Sequence, residues 1–219
     1  MLDIKNEEIM KIFIFVCCIL AYFISSASAT PQQWSENGHY YDFIRKSTTW
    51  QSAFSEASEL TYLDQTGYLT TITSADENAF LNTTFNSGLS SQFTWIGGYE
   101  PGDDGIWKWV SGPEANTQFS NYGSPTPPFN YVNWGGIEPN DYQANEDYAM
   151  FNIGSSFCGI TPGQWADAVY TPSGADPVVG YLVEYGPNSV VPEPVSTILF
   201  SIGSVTLAIF RRLKSRSKN

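Results

Sequence analysis

From residue 86 to residue 185 no amphipathic helical repeat recurs, and this limits the fold more than any other feature of the 219-residue chain. Short motifs order the segment instead. Trp95-Ile96-Gly97-Gly98 and Gly105-Ile106-Trp107-Lys108-Trp109 come first, then Glu138-Pro139-Asn140-Asp141, Glu146-Asp147 and Trp165-Ala166-Asp167. The triplet Glu138-Pro139-Asn140 is the sharpest of these. A carboxylate and a carboxamide flank a proline able to hold a cis peptide, which would aim both oxygens at one point.

The first half reads differently. His39 to Phe43 alternates weakly and is expected to form the first strand after a short leader, Thr30 to Asn37. Trp50, Ala53, Phe54, Ala57 and Leu60 recur at helical spacing, which predicts a helix from about Thr49 to Leu63. Gly67 breaks it, and Tyr68 to Thr73 is strand-like. Ser74-Ala75-Asp76-Glu77 is a capping box opening a second helix to about Phe85. Strands are expected at Phe93 to Gly97, Ile106 to Val110, Asp147 to Ile153 and Gly180 to Tyr185. Two early helices and a strand- and loop-rich remainder describe an α+β domain. The long loop from Ser111 to Glu146 would weigh against a compact domain unless it has a function.

Both ends read as targeting segments. Lys11, the apolar run Ile12 to Ile24 and Ala27-Ser28-Ala29 have the order of a secretory signal peptide over residues 1–29, with an uncleaved N-terminal anchor as the alternative. At the other end, Pro192-Glu193-Pro194 precedes an apolar run, residues 195–210, and a basic cluster from Arg211 to Arg216. That order resembles the PEP-CTERM sorting signal over residues 191–219. The resemblance implies export, a membrane hold through the short apolar segment, and processing by an exosortase. An ordinary C-terminal anchor is the alternative, with the basic end left cytoplasmic.

Of the chain's 22 acidic and 10 basic residues, the first 29 hold 3 and 2 and the last 29 hold 1 and 5. The body therefore carries 18 acidic side chains against Arg45, Lys46 and Lys108. Such a surface repels phosphate backbones, which excludes nucleic acid as a partner, and attracts divalent cations. Cys158 is the only cysteine of the body, so no intramolecular disulfide can form there; a buried free thiol is the expectation, an intermolecular link the alternative.

Taken together over residues 38 to 186, the tryptophan-glycine motifs, Glu138-Pro139-Asn140, Glu146-Asp147 and Trp165-Ala166-Asp167 resemble the C-type lectin-like domain, within a body of residues 30–190. The resemblance implies paired terminal strands, small antiparallel sheets and a long looped excursion. It also implies two disulfides, and this chain carries Ala57, Tyr148, Tyr170 and Val183 where the half-cystines fall. Apolar packing is expected to replace them.

The same resemblance implies a calcium site formed by Glu138, Asn140, Glu146 and Asp167, at which two vicinal hydroxyls of a mannose- or glucose-like sugar complete the metal shell. Ala166 departs from the family's tryptophan-asparagine-aspartate triplet, removing one ligand and one amide donor to sugar. An auxiliary calcium site is implied at Glu100, Asp104, Asp141 and Asp147, with a solvated acidic loop face as the alternative. The tryptophans are expected to be core rather than sugar platforms. Nothing in the chain reads as an enzyme: His39 is the only histidine, and neither a phosphate loop nor a zinc pattern occurs.

The expected role is calcium-assisted binding of carbohydrate or extracellular polysaccharide at the cell surface or in extracellular polymer. The expected partners are that polymer and the sorting and processing machinery at the membrane. The alternative is a structural or protein-binding surface module whose sugar binding has lapsed.

Overall fold

The computed structural model describes residues 30–89, 92–142, 145–171 and 178–187. The segments expected to be a signal peptide (residues 1–29) and a PEP-CTERM-like tail (residues 191–219) lie outside the described residues. Among the described residues no helix is long and apolar enough to cross a membrane.

The elements run β1 (Gln32–Gln33), β2 (Tyr40–Ile44), α1 (Trp50–Glu59), β3 (Thr61–Tyr62), β4 (Gln65–Leu69) and α2 (Ala75–Phe85). After these come β5 (Phe93–Tyr99), β6 (Ile106–Trp109), β7 (Gln118–Asn121), β8 (Ser124–Pro125), β9 (Tyr148–Asn152), β10 (Trp165–Ala168) and β11 (Val178–Tyr185). The α+β class holds. The terminal strands do pair: β11 lies antiparallel to β2, with Tyr181 opposite Ile44 and Tyr185 opposite Tyr40. On its other edge β11 runs parallel to β5, which continues antiparallel to β6 and β9.

Alternation along these strands makes two cores. Trp95, Met150, Ala166 and Val183 join Trp50, Ala53 and Ala57 of α1 in one cluster. Their strand neighbours Ile96, Ala149, Trp165 and Leu182 join Leu81 of α2, Trp107, Trp109 and Phe119 in the other. The period of two in a strand sends successive side chains to opposite faces, so one sheet serves both helices.

Several boundaries differ from the sequence expectations. The first helix ends at Glu59, because Leu60 leaves the helical conformation and Thr61–Tyr62 pairs with β4 through a turn at Leu63 and Asp64, both at positive φ. The expected strand from Tyr68 to Thr73 starts earlier and stops at Leu69. Beyond it the backbone N–H groups turn to other acceptors: Thr70 donates to the Leu182 carbonyl, Thr71 to the Glu184 carboxylate and Thr73 to Glu77. The leader contains β1, and Trp34 stacks on Phe80. Cys158 is exposed rather than buried; it sits at positive φ in the tight turn that joins Phe157 to Ile160, which turns its side chain outward.

Where the family would carry half-cystines, Ala57 and Val183 are fully buried in one cluster. Both lie against Gly67, where an added Cβ would fall 2.7 Å from the Ala57 carbonyl and 2.8 Å from Val183 Cγ1. Tyr148 packs its ring 4.8 Å from Trp50 and 5.7 Å from Tyr99.

Glu77 has two tasks. As the capping-box residue its backbone N–H reaches Ser74 Oγ, while its carboxylate accepts from Thr73. The same carboxylate accepts the Tyr41 hydroxyl at 2.6 Å, and Tyr41 also reaches Glu184, which pairs with His39 at 2.6 Å. Burial and the Glu184 charge push the Glu77 carboxyl up to about 7, and the Glu184 hydrogen bond raises His39 above its ordinary value.

Both shifts act in one direction. A carboxyl raised to about 7 stabilises the fold when protonated, and a raised histidine contributes fully below its ordinary value and loses that contribution as pH climbs through the folded one. Melting temperature measured in chelator should therefore fall as pH rises from about 4.5 through about 7, where Glu77 ionises, and go on falling above 6.5 as His39 loses its proton. His39→Gln should flatten that slope; a profile rising with pH would contradict this assignment.

Candidate functional site

The long loop returns to the sheet through Trp165. Its N–H donates to the Asn133 carbonyl at 2.8 Å, and its own carbonyl accepts from Gly135 at 2.9 Å, so residues 133–135 lie alongside β10. Trp134 packs its ring 5.7 Å from Trp165 and 4.9 Å from Trp107. A turn follows in which Glu138 N–H donates to Gly135, and the Glu138-Pro139 peptide is cis.

Asp167, two residues beyond Trp165 on β10, then holds the loop from below. Its carboxylate accepts the Asn140 N–H at 3.1 Å and the Asp141 N–H at 2.7 Å. The Asn140 carboxamide donates to Glu138 at 2.5 Å, and Glu146 accepts the Tyr142 N–H at 2.9 Å. Burial, then the hydrogen bond and charge of Asp167, push the Glu138 carboxyl up to about 9, with Glu146 adding to the rise. The four residues named for the principal site are thus neighbours in one acidic loop cluster.

Hard oxygen donors of this kind suit calcium, and the crowding of Glu138 by two other carboxylates is the electrostatic condition a cation relieves. Here the donors are partly turned on one another. Among the described residues no group of three or more carboxylate, imidazole or thiol side chains converges as a finished metal cage. Ala166 supplies a buried methyl to the cluster that holds Trp50 and Met150.

The four auxiliary residues are only partly gathered. Glu100 and Asp141 line a pocket of about 100 Å³ with Asp103, Gly105, Trp107, Tyr122 and Pro139. Burial, followed by the charges of Asp103 and Asp141, raises the Asp147 carboxyl, which places it within their field. Asp104 instead accepts the Ile106 N–H at 3.1 Å, closing its own turn. Glu100 accepts the Gly105 N–H, and burial leads the rise of its carboxyl. Asp103 and Tyr122 were not singled out from sequence; the turn residues Gly102, Gly105 and Gly123 beside them were the available signal.

A family model, the lectin C-type domain, matches residues 46–169. The chain belongs to the C-type lectin domain family. Members of this family generally bind carbohydrate, generally with calcium, and are typically not enzymes. The domain is 37% identical over 150 residues to halomucin of Haloquadratum walsbyi, covering 68% of this chain but 1% of that protein. It is 31% identical over 128 residues to C-type lectin domain family 4 member F of Mus musculus, covering 58% of this chain and 22% of that protein. The chain thus spans a small part of these relatives. In fold it is similar to human lithostathine, at 18% identity and a TM-score of 0.50, covering 74% of this chain and 91% of that one.

Asp167 is 3% exposed and is the acceptor for two loop N–H groups. Asp167→Ala should destabilise the metal-free domain by about 0.5–1.5 kcal/mol, the usual net worth of a hydrogen bond whose donor water can reach once the acceptor is gone. Amide exchange should quicken at Asn140 and Asp141 while β11 stays protected. Unchanged exchange at those two amides would show that the loop is held by other contacts.

Proposed function

We propose that this domain binds carbohydrate at the loop of Glu138, Asn140, Glu146 and Asp167 with calcium as the bridging ion. The observation that carries the reading is the seating of Glu138-Pro139-Asn140 on the Asp167 carboxylate, which gathers acidic and carboxamide oxygens at one exposed edge. Calcium would supply a positive centre to which two vicinal sugar hydroxyls could bind. The protein's part is orientation: Glu138 and Glu146 accept from those hydroxyls, and the Asn140 amide donates. The Glu-Pro-Asn order favours mannose- or glucose-type diols. With Ala166 in place of a ligand, calcium affinity is weak, on the order of 10⁻⁴–10⁻³ M.

Signal peptide and PEP-CTERM-like tail fit an exported protein that is held at the membrane before processing and then acts at the cell surface or in extracellular polymer. A second reading, a structural or protein-contact module, is favoured by the buried Ala166 methyl and by donors that hydrogen-bond each other.

Calorimetric titration of calcium into the full chain separates the two. Saturable binding that Glu138→Gln abolishes, with glycan capture reversed by EDTA, is the expected result. Silence up to millimolar calcium, or glycan capture indifferent to EDTA, would remove the calcium-bridged mechanism.

A further inference from the structure

Sugar-binding surfaces commonly need an aromatic face, because a pyranose ring presents a patch of C–H groups between its hydroxyls. Four of the tryptophans do not provide one, since Trp95, Trp107, Trp109 and Trp165 are at most 1% exposed, and the partly buried Trp134 has its ring packed against Trp107, Phe119 and Trp165. Tyr122 is 77% exposed and stands beside the proposed sugar loop.

Its position is built rather than incidental. Tyr122 and Gly123 are the two central residues of the hairpin between β7 and β8, both at positive φ, with Asn121 opposite Ser124. The Tyr122 N–H donates to the Gly105 carbonyl at 2.8 Å. One side of the ring is packed on Gly105, where an added Cβ would fall 2.5–2.7 Å from Cδ1, Cε1 and Cγ. Gly105 is in turn held by the Glu100 carboxylate. Gly123 meets Pro139 itself: a Cβ there would lie 3.0 Å from Pro139 Cδ. The hairpin tip therefore abuts the middle residue of Glu138-Pro139-Asn140.

The geometry points to Tyr122 as a stacking platform for a second, neutral hexopyranose of a glycan whose first sugar is held at Glu138 and Asn140. This specificity role rests on the carbohydrate-binding reading above. The ring is packed on Gly105 while the residue stays 77% exposed, so stacking costs little ordering. The ring also rims the pocket of about 100 Å³ that Glu100, Asp103 and Asp141 line. That space takes a hydroxyl or hydroxymethyl group and no whole sugar, and its carboxylates accept hydrogen bonds from such groups. The same carboxylates repel uronic acids and sulfated sugars, which is why the occupant is neutral.

The test is an NMR titration of the full chain in calcium with methyl α-mannoside and methyl α-glucoside, then with mannobiose and maltose. The wild-type protein should bind a disaccharide more tightly than its monosaccharide, with saturation transfer between the Tyr122 ring and the second sugar. Tyr122→Ala should weaken disaccharide binding about fivefold, as expected for loss of one aromatic contact, and leave the monosaccharide unchanged. Tyr122→Phe should retain the wild-type preference, since the face and not the hydroxyl acts. A disaccharide preference untouched by Tyr122→Ala overturns the platform and leaves the lectin reading standing. Equal loss on both sugars also overturns it, because the ring then serves only to prop Pro139. If the wild-type protein binds none of the four sugars, the carbohydrate reading fails and the platform fails with it.

Discussion

A single buried indole ties the site to the rest of the fold. Trp165 hydrogen-bonds through its ring N–H to Asn78 of α2 and through its backbone to Asn133 and Gly135 of the loop. Its ring meets Trp109, Phe119, Tyr131 and Trp134 within about 6 Å. Helix, sheet and loop are therefore fixed relative to one another at one residue. Large aromatic side chains bury much area with few rotatable bonds, which suits a joint of this kind. Asp167 and the turn at Asn140 and Asp141 inherit their place from that joint, because Asp167 is the next residue on the same face of β10.

The loop is accordingly positioned by backbone contacts to a rigid strand, and its own polar groups are occupied meanwhile. Asp167 spends its carboxylate on two main-chain N–H groups, and the Asn140 carboxamide is engaged with Glu138. A cation arriving here would compete with hydrogen bonds already formed instead of entering an open cage. Competition of this kind would weaken a cation's hold on these oxygens.

Much of this arrangement could be read from the residues, and the exceptions have physical causes. Helical spacing located α1 and the capping box located α2, since both patterns are local. Strand ends were harder to place. Thr70 to Thr73 looks β-branched and extended, yet its N–H groups are claimed by Leu182, Glu184 and Glu77, partners more than a hundred residues away in two of the three cases. The exposure of Cys158 depends on a turn conformation that its own identity does not announce. Glu138, Asn140, Glu146 and Asp167 were singled out from a spaced motif, and the fold brings them to one loop edge. Asp103 and Tyr122 were not, because their proximity to Pro139 arises from a hairpin tip crossing a loop, a relation invisible along the chain.

The contact of Ala57, Gly67 and Val183 has a bearing on how the domain is made. A crosslink between α1 and β11 would have to wait for an oxidant and a correct choice among thiols. The Ala57 carbonyl and a Val183 methyl closing on a bare glycine need neither, so this join depends on no thiol chemistry in reducing or oxidising surroundings. What is given up is tolerance. A covalent bond forgives an imperfect neighbourhood, whereas a single carbon added at Gly67 would fall 2.7 Å from the Ala57 carbonyl.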